Sequence, residues 1–245
     1  MKGALGIINR SVLAGIVTAS AVLALLVLLS PAEAAKGDPR AMITWRARSY
    51  APSGYAGKVM PSPNSAITAS LELVSSRTGK PIDLSRGTIY WYLNTSFLGG
   101  GAGAQTITFR APGPGNNLLD LSVQASYRDA TAAPAQAGSI YENVKVPVSA
   151  PLAVIEAPYA SNIARINPFK LTGVPYFFNL PKNKLNFSWE INGEAPTGSE
   201  RPDELVVEVN PEAPSGSEIG VRIVIADPSD ILVSAVKQII LTIAR

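Results

Sequence analysis

The chain contains no cysteine and no histidine among its 245 residues. Without cysteine there is no disulfide, no thiol nucleophile, no iron–sulfur cluster and no thiolate zinc site. Without histidine there is no Ser-His-Asp or Cys-His constellation, no imidazole metal ligand and no proximal-His haem. Acid–base chemistry near neutral pH would fall to carboxylates, lysines or tyrosines with shifted pKa values. No catalytic residue and no cofactor is assigned on this basis. Charge is sparse as well, at 16% of residues against about 25% in a typical soluble domain. The net charge of +3 comes from scattered residues that form no basic run, so no nucleic-acid partner is expected.

The longest apolar stretch lies at the N-terminus. Lys2 and Arg10 precede an uncharged run from Val12 to Leu29, and Ala32-Glu33-Ala34 follows. A basic start, an apolar run and an A-x-A-like site describe an export signal cleaved after Ala34. The run is also close to the length that spans a bilayer. Residues 1–34 therefore read as a signal peptide or as a retained N-terminal anchor, with residues 12–29 as the membrane tether. The expected location is outside the cytoplasm: cell envelope, surface or extracellular.

Past residue 35 the dominant period is two. Ile67, Ala69, Leu71 and Leu73 alternate with Thr68, Ser70 and Glu72. Leu119, Leu121 and Val123 do the same, as do Val221, Ile223 and Ile225. These are strands with one face to core and one to solvent. Turn chemistry separates them: Pro112 to Asn117, Pro211 to Gly216, and Asp227-Pro228-Ser229-Asp230. The pattern predicts an all-β chain of antiparallel sandwiches.

The strands repeat. Tyr90-Trp91-Tyr92-Leu93-Asn94 is echoed 98 residues later by Ser188-Trp189-Glu190-Ile191-Asn192. Each is followed by a polar loop (Gly99 to Gly103, Gly193 to Pro202), a strand, a Pro/Gly turn and a long alternating strand. The offset is the size of one sandwich, which predicts units at 36–150 and 151–245 with the boundary near Ser149-Ala150-Pro151. Trp91 and Trp189 are the expected core anchors of the two units.

On these residues the chain resembles the Ig-like superfamily, and within it the PKD-like domains of bacterial surface proteins. It is also similar to uncharacterised exported two-unit proteins of small-genome uncultured bacteria. The residues that carry this likeness are Trp45-x-Ala47, Tyr55-x-Gly57-Lys58 and Pro61-x-Pro63 in the first unit. In the second they are Leu171-Thr172-Gly173, Pro175-Tyr176-Phe177-Phe178 and Trp189-x-Ile191-Asn192-Gly193. The resemblance implies a fold, with the Trp strand facing the long later strand across each core, and an exported location. It implies no activity.

Candidate sites are few. Gly99-Gly100-Gly101-Ala102-Gly103 lacks the Lys-Ser/Thr of a phosphate loop and reads as a hairpin loop. Asp227 and Asp230 are the candidate calcium ligands. No D-x-D-x-D-G run accompanies them, and Asp-Pro-Ser-Asp is also an ordinary turn, so no metal is assigned. Asn94-Thr95-Ser96 and Asn186-Phe187-Ser188 match the glycosylation sequon by chance occurrence. Tyr159, Tyr176 and Phe177 form the candidate contact surface, with junction packing preferred over an external partner. The expected protein is a non-catalytic spacer or interaction module whose partner is an envelope or surface protein. The alternatives are a carbohydrate-binding module with a glycan partner, a calcium-dependent adhesin unit, and a hydrolase acting through facing carboxylates.

Overall fold

The computed structural model describes residues 39–157, 159–196 and 201–244. The proposed export segment 1–34 and tether 12–29 lie outside the described residues. Among the described residues, no helix is long and apolar enough to cross a membrane.

The chain is all-β. In its first half the strands are β1 (Arg40–Ala47), β2 (Ala66–Val74), β3 (Thr88–Leu93), β4 (Ser96–Ala102), β5 (Thr106–Arg110), β6 (Leu118–Asp129) and β7 (Gln136–Pro147). They form two sheets, ordered β1-β2-β5 and β4-β3-β6-β7. In the second half the strands are β8 (Leu152–Glu156), β9 (Ile163–Ala164), β10 (Phe169–Tyr176), β11 (Asn186–Ile191), β12 (Glu204–Val207), β13 (Glu218–Asp227) and β14 (Asp230–Ile243). These again form two sheets, β12-β10-β8 and β11-β13-β14-β9. All pairings are antiparallel except β9 on β14, where Ile163 and Ala164 run parallel to Thr242 and Ile243. With the edge strands β4 and β9 set aside, each half puts its first, second and fourth strands in one sheet and its third, fifth and sixth in the other. That is the Ig-like strand order.

Alternation explains the burial. Ile67, Ala69, Leu71 and Leu73 on β2 are all buried, and so are Leu119, Leu121, Val123 and Ala125 on β6. They join Ile89, Trp91, Phe109 and Val146 in one hydrophobic core. A second core gathers Phe169, Leu171, Trp189, Leu205, Val221, Ile223, Ile225 and Leu241. No cysteine crosslinks either core, so burial of apolar surface holds both together.

Three devices recur at equivalent places in the two halves. Trp91 on β3 is fully buried and donates its indole N–H to Ala104 O at 2.8 Å. Trp189 on β11 is also buried and donates to Pro202 O at 3.0 Å. Each acceptor lies thirteen residues after its tryptophan, so the same carbonyl position satisfies each buried donor. Asn94 and Asn192 follow the Trp strands with φ of 47° and 52°, the left-handed region that asparagine tolerates best after glycine. Their Oδ1 atoms accept from Asp120 N–H at 2.9 Å and Gly220 N–H at 2.8 Å. Asn94 of the first sequon is therefore a structural bridge to the neighbouring long strand. At the end of that strand, Asp129 Oδ1 accepts from Thr131 N–H and Oγ1–H, and Asp227 Oδ1 accepts from Ser229 N–H and Oγ–H. Both aspartates are buried and close their hairpin turns.

Two sequence expectations change. The Trp strand does not face the long later strand across the core: β3 pairs with β6, and β11 with β13, as neighbours in one sheet. The Gly99 to Gly103 run is largely strand β4, paired with β3 at Gly99, Gly100 and Gly101, and not a hairpin loop. Glycine is depleted from strands in general, but close packing requires it here. A Cβ on Gly100 would sit 2.1 Å from Ile89 O and 2.8 Å from Tyr90 Cα. In the second half Gly173 on β10 plays a similar part: a Cβ there would meet Ile223 Cδ1 at 2.3 Å and Trp189 Cζ2 at 3.3 Å. The missing side chain makes room first for Ile223 and then for the buried indole.

Candidate binding surface

Trp91 points into the core, so its neighbours Tyr90 and Tyr92 must point out of the sheet. The register gives them company. Tyr90 lies opposite Gln124, which lies opposite Tyr141. Tyr92 lies opposite Phe97 on one side and Ser122 on the other, and Ser122 faces Asn143. Tyr90, Phe97 and Tyr141 are 40%, 61% and 65% exposed. The outer face of the four-stranded sheet β4-β3-β6-β7 therefore carries four aromatic rings around a polar centre of Gln124, Ser122 and Asn143. Strand spacing puts Tyr90 and Tyr141 about 10 Å apart across β6. The ring of Phe97 lies 6.1 Å from Tyr90 and 5.7 Å from Tyr92, tilted by 60° and 63°. These tilted and edge-to-face contacts fix Tyr90, Phe97 and Tyr92 relative to one another. Asp120 and Lys145 close one end of the face with a 2.6 Å ion pair.

The second half is an internal comparison. At the positions of Tyr90 and Tyr92 it has Ser188 and Glu190, and opposite them Val224 with Val236 and Arg222 with Gln238. Glu190 pairs with Arg222 at 2.6 Å. The equivalent face is thus aliphatic and charged, without an aromatic ring at these positions. Alternation around Trp91 was the signal that could have placed Tyr90 and Tyr92 outside from sequence. Phe97 carries no such signal, because its glycine-rich strand is recognisable only once paired; Tyr141 opens a closing strand that the sequence does show, but its outward face is set only by pairing with β6.

The sequence candidates fall in three places. Tyr176 and Phe177 meet the first half of the chain. Phe177 N–H donates to Tyr50 O at 2.6 Å, and Tyr50 N–H donates to Phe178 O at 2.7 Å. Tyr55 sets its ring edge-on to both Tyr176 and Phe177, at 5.6 and 5.9 Å. Ser62 Oγ–H donates to Asn179 Oδ1 at 2.9 Å, and Asn179 Nδ2 donates to Pro63 O at 2.8 Å. Phe177 has φ of 62°, a strained value for a bulky residue that surrounding contacts must hold. Tyr159 is elsewhere. It packs edge-on against Phe169, 5.8 Å away, at the other end of β10 from Tyr176. Those ends are seven residues apart, roughly 23 Å. The structure therefore brings Tyr176 and Phe177 together and leaves Tyr159 apart from them. Among the described residues the buried Tyr159 hydroxyl has no hydrogen-bond partner, and burial raises its pKa.

Asp227 spends Oδ1 on its turn, and Asp230 Oδ1 accepts from Leu232 N–H at 3.1 Å. Among the described residues no group of three or more acidic side chains is placed to hold a metal ion. A cavity of about 350 Å³ lies at one end of the second half, with Lys182, Phe187, Arg201 and Asp203 in its wall. Burial pushes the Asp203 carboxyl up, but the hydrogen bond and charge of Lys182 and the charge of Arg201 outweigh it, and its pKa lies below the ordinary range. A carboxylate held ionised by a lysine 2.6 Å away is a poor proton donor. Among the described residues of this wall it has no second acid facing it, as glycoside hydrolysis would need.

No family model matches the chain, and no curated protein matches it. Solved structures do resemble it, all at low identity. The three N-terminal domains of the highly immunogenic outer capsid protein of bacteriophage RB49 align over 84% of this chain and 59% of theirs, at 10% identity and a TM-score of 0.42. A fragment of intimin in complex with the intimin-binding domain of its translocated receptor aligns over 84% and 64%, at 10% identity and 0.26. A Bacteroides ovatus protein in complex with a mixed-linkage heptasaccharide aligns over 85% and 48%, at 14% identity and 0.21. The chain spans less than two thirds of each of these structures. The fold assignment rests on the chain's own strand order, and these likenesses add nothing about ligands.

Proposed function

We propose that this chain is an exported, non-catalytic binding protein of the cell envelope or surface. In this reading residues 36–150 and 151–245 are two Ig-like domains of the PKD-like kind, and the first presents the contact face. The observation that carries it is the difference between the repeats. Both halves fold on the same buried residues, yet only the first places Tyr90, Tyr92, Phe97 and Tyr141 on the outer sheet. Exposed tyrosines on a rigid sheet supply contact area at low entropic cost. The second domain and its hydrogen-bonded junction act as a spacer that sets the first at a fixed angle.

A protein partner is favoured over a glycan. Sugar platforms stack one ring face after another, whereas Phe97 is tilted about 60° to both tyrosines. The test is photo-crosslinking from position 141 in native cells, in the parent chain and with Tyr90→Ala. A specific protein adduct that the Tyr90 change weakens supports the reading. Retention on a polysaccharide column, lost in the same variant, would favour the glycan. An unchanged adduct pattern would reject the aromatic face.

A further inference from the structure

Four sheets have eight edges, and in the described strands most of them are guarded. Charged residues stand on them: Arg46 on β1, Arg110 on β5, Lys145 on β7, Glu156 on β8, Glu190 on β11 and Glu204 on β12. The remaining edges are β9, two residues long, and β4. Short length and charge are the usual protections against edge-to-edge pairing. Strand β4, Ser-Phe-Leu-Gly-Gly-Gly-Ala, has neither, and it contains no proline; its one irregularity is a bulge at Leu98, which leaves Gly99 to Ala102 in regular register with β3.

We propose that β4 is a self-association edge and that its occupant is β4 of a second copy of this chain. Charge allows this pairing, since no like charges meet across the strands. Volume favours it. An antiparallel pair about a two-fold axis through Gly100 sets Gly99 opposite Gly101, Leu98 opposite Ala102, and Phe97 opposite Gly103 of the second copy. The bulky half of each strand meets the small half of the other, which is the self-complementarity that a two-fold interface needs. Phe97, 61% exposed at this edge, then covers bare glycine backbone. The result is one continuous eight-stranded sheet, with the two aromatic clusters side by side on a single face. Pairing through this edge does not depend on what the aromatic face binds.

The chain has no cysteine, so introduced cysteines report without background. Full-length protein carrying both Leu98→Cys and Ala102→Cys is oxidised and run without reductant. Opposed residues of an antiparallel pair lie about 4.5–5.5 Å apart at Cα, within disulfide reach. The double variant should give a covalent dimer. Either single variant places its cysteines about four residues, roughly 13 Å, apart and should give none. Independently, Ala102→Lys at an exposed position should raise the dimer dissociation constant by sedimentation at least tenfold with an unchanged melting temperature. No crosslink in a folded double variant, or equal crosslinking in the singles, overturns the proposal. So does sedimentation as a monomer at every concentration, or a dimer indifferent to Ala102→Lys. If the cysteine pair fails to fold, sedimentation of the parent chain and of Ala102→Lys decides. Partner capture through Tyr90 is read separately, so failure of one leaves the other standing.

Discussion

Truncating Trp91 to alanine should unfold the first half of the chain and spare the second. Trp91 is fully buried at the centre of its core, and its indole N–H satisfies Ala104 O at 2.8 Å. Trp→Ala in a core costs about 3–5 kcal/mol. A domain of this size has about 5–15 kcal/mol in total, so the change removes a large share. At about 4–8 °C per kcal/mol for domains of 60–100 residues, the first-half transition should fall by about 12–40 °C. Trp189 sits in a separate core, so its own transition should move little. Trp91→Phe separates the terms: most of the apolar area stays, Ala104 O is orphaned, and the loss should be about 1–3 kcal/mol. The assay is thermal unfolding by far-ultraviolet circular dichroism, with fluorescence of Trp189 as the reporter of the second half in a Trp45→Phe background, since Trp45 on β1 is the third tryptophan. A Trp91→Ala protein that melts like the parent would refute the core assignment. Coincident loss of both halves would refute their independence.

Acid should also weaken the first half through its turn aspartate. Hydrogen bonds from the Ser75 and Thr131 hydroxyls, with backbone N–H donors beside them, hold the Asp129 carboxyl below its ordinary pKa. A depressed folded-state pKa contributes stability that is complete above the ordinary aspartate range and is lost as pH falls through the folded value. Urea midpoints should therefore drop between about pH 5 and about pH 2, and Thr131→Val should flatten that drop; an unchanged slope would remove Asp129 as a contributor. Asn179→Ala deletes the hydrogen bonds to Ser62 and Pro63, each contributing about 1 kcal/mol, while the backbone pair between Tyr50 and Phe177-Phe178 stays. Small-angle scattering should then show a broader distribution of longest dimensions at unchanged melting temperature, and a distribution identical to the parent would deny Asn179 a role in the junction.

Legibility from sequence followed the range of the interaction. Strands β2, β6 and β13 announce themselves because each buries one face, and burial imposes a period of two. The repeat was visible because Trp and Asn recur for reasons local to one strand end: an indole donor to satisfy and a left-handed residue to accommodate. Strand β4 was hidden, since glycine signals a loop in isolation and signals close packing only beside Ile89 and Tyr90. The junction was half visible. Tyr176-Phe177-Phe178 stood out by composition, but its partners Tyr50 and Tyr55 lie more than a hundred residues earlier, in a connection between β1 and β2 that carries no strand signal. Tyr159 was grouped with them on composition alone, and β10 separates the two by its length.

The two halves together separate what the fold requires from what it permits. Positions filled alike in both are the buried tryptophan with its carbonyl acceptor thirteen residues on, the left-handed asparagine, and the turn-closing aspartate. Each satisfies a buried or strained backbone group, so any sandwich of this strand order gains from it. Positions filled differently answer to no such demand. The outward site two places before the asparagine is Tyr92 in one half and Glu190, paired with Arg222, in the other. A site that accepts either an ion pair or a half-buried ring is not dictated by packing. Exposed rings also carry a solubility cost that an ion pair does not. Three of them, Tyr90, Phe97 and Tyr141, gathered on one face around the half-buried Tyr92 and along the uncharged edge strand β4, therefore call for a reason outside the fold, and contact with another molecule is the reason that both features share.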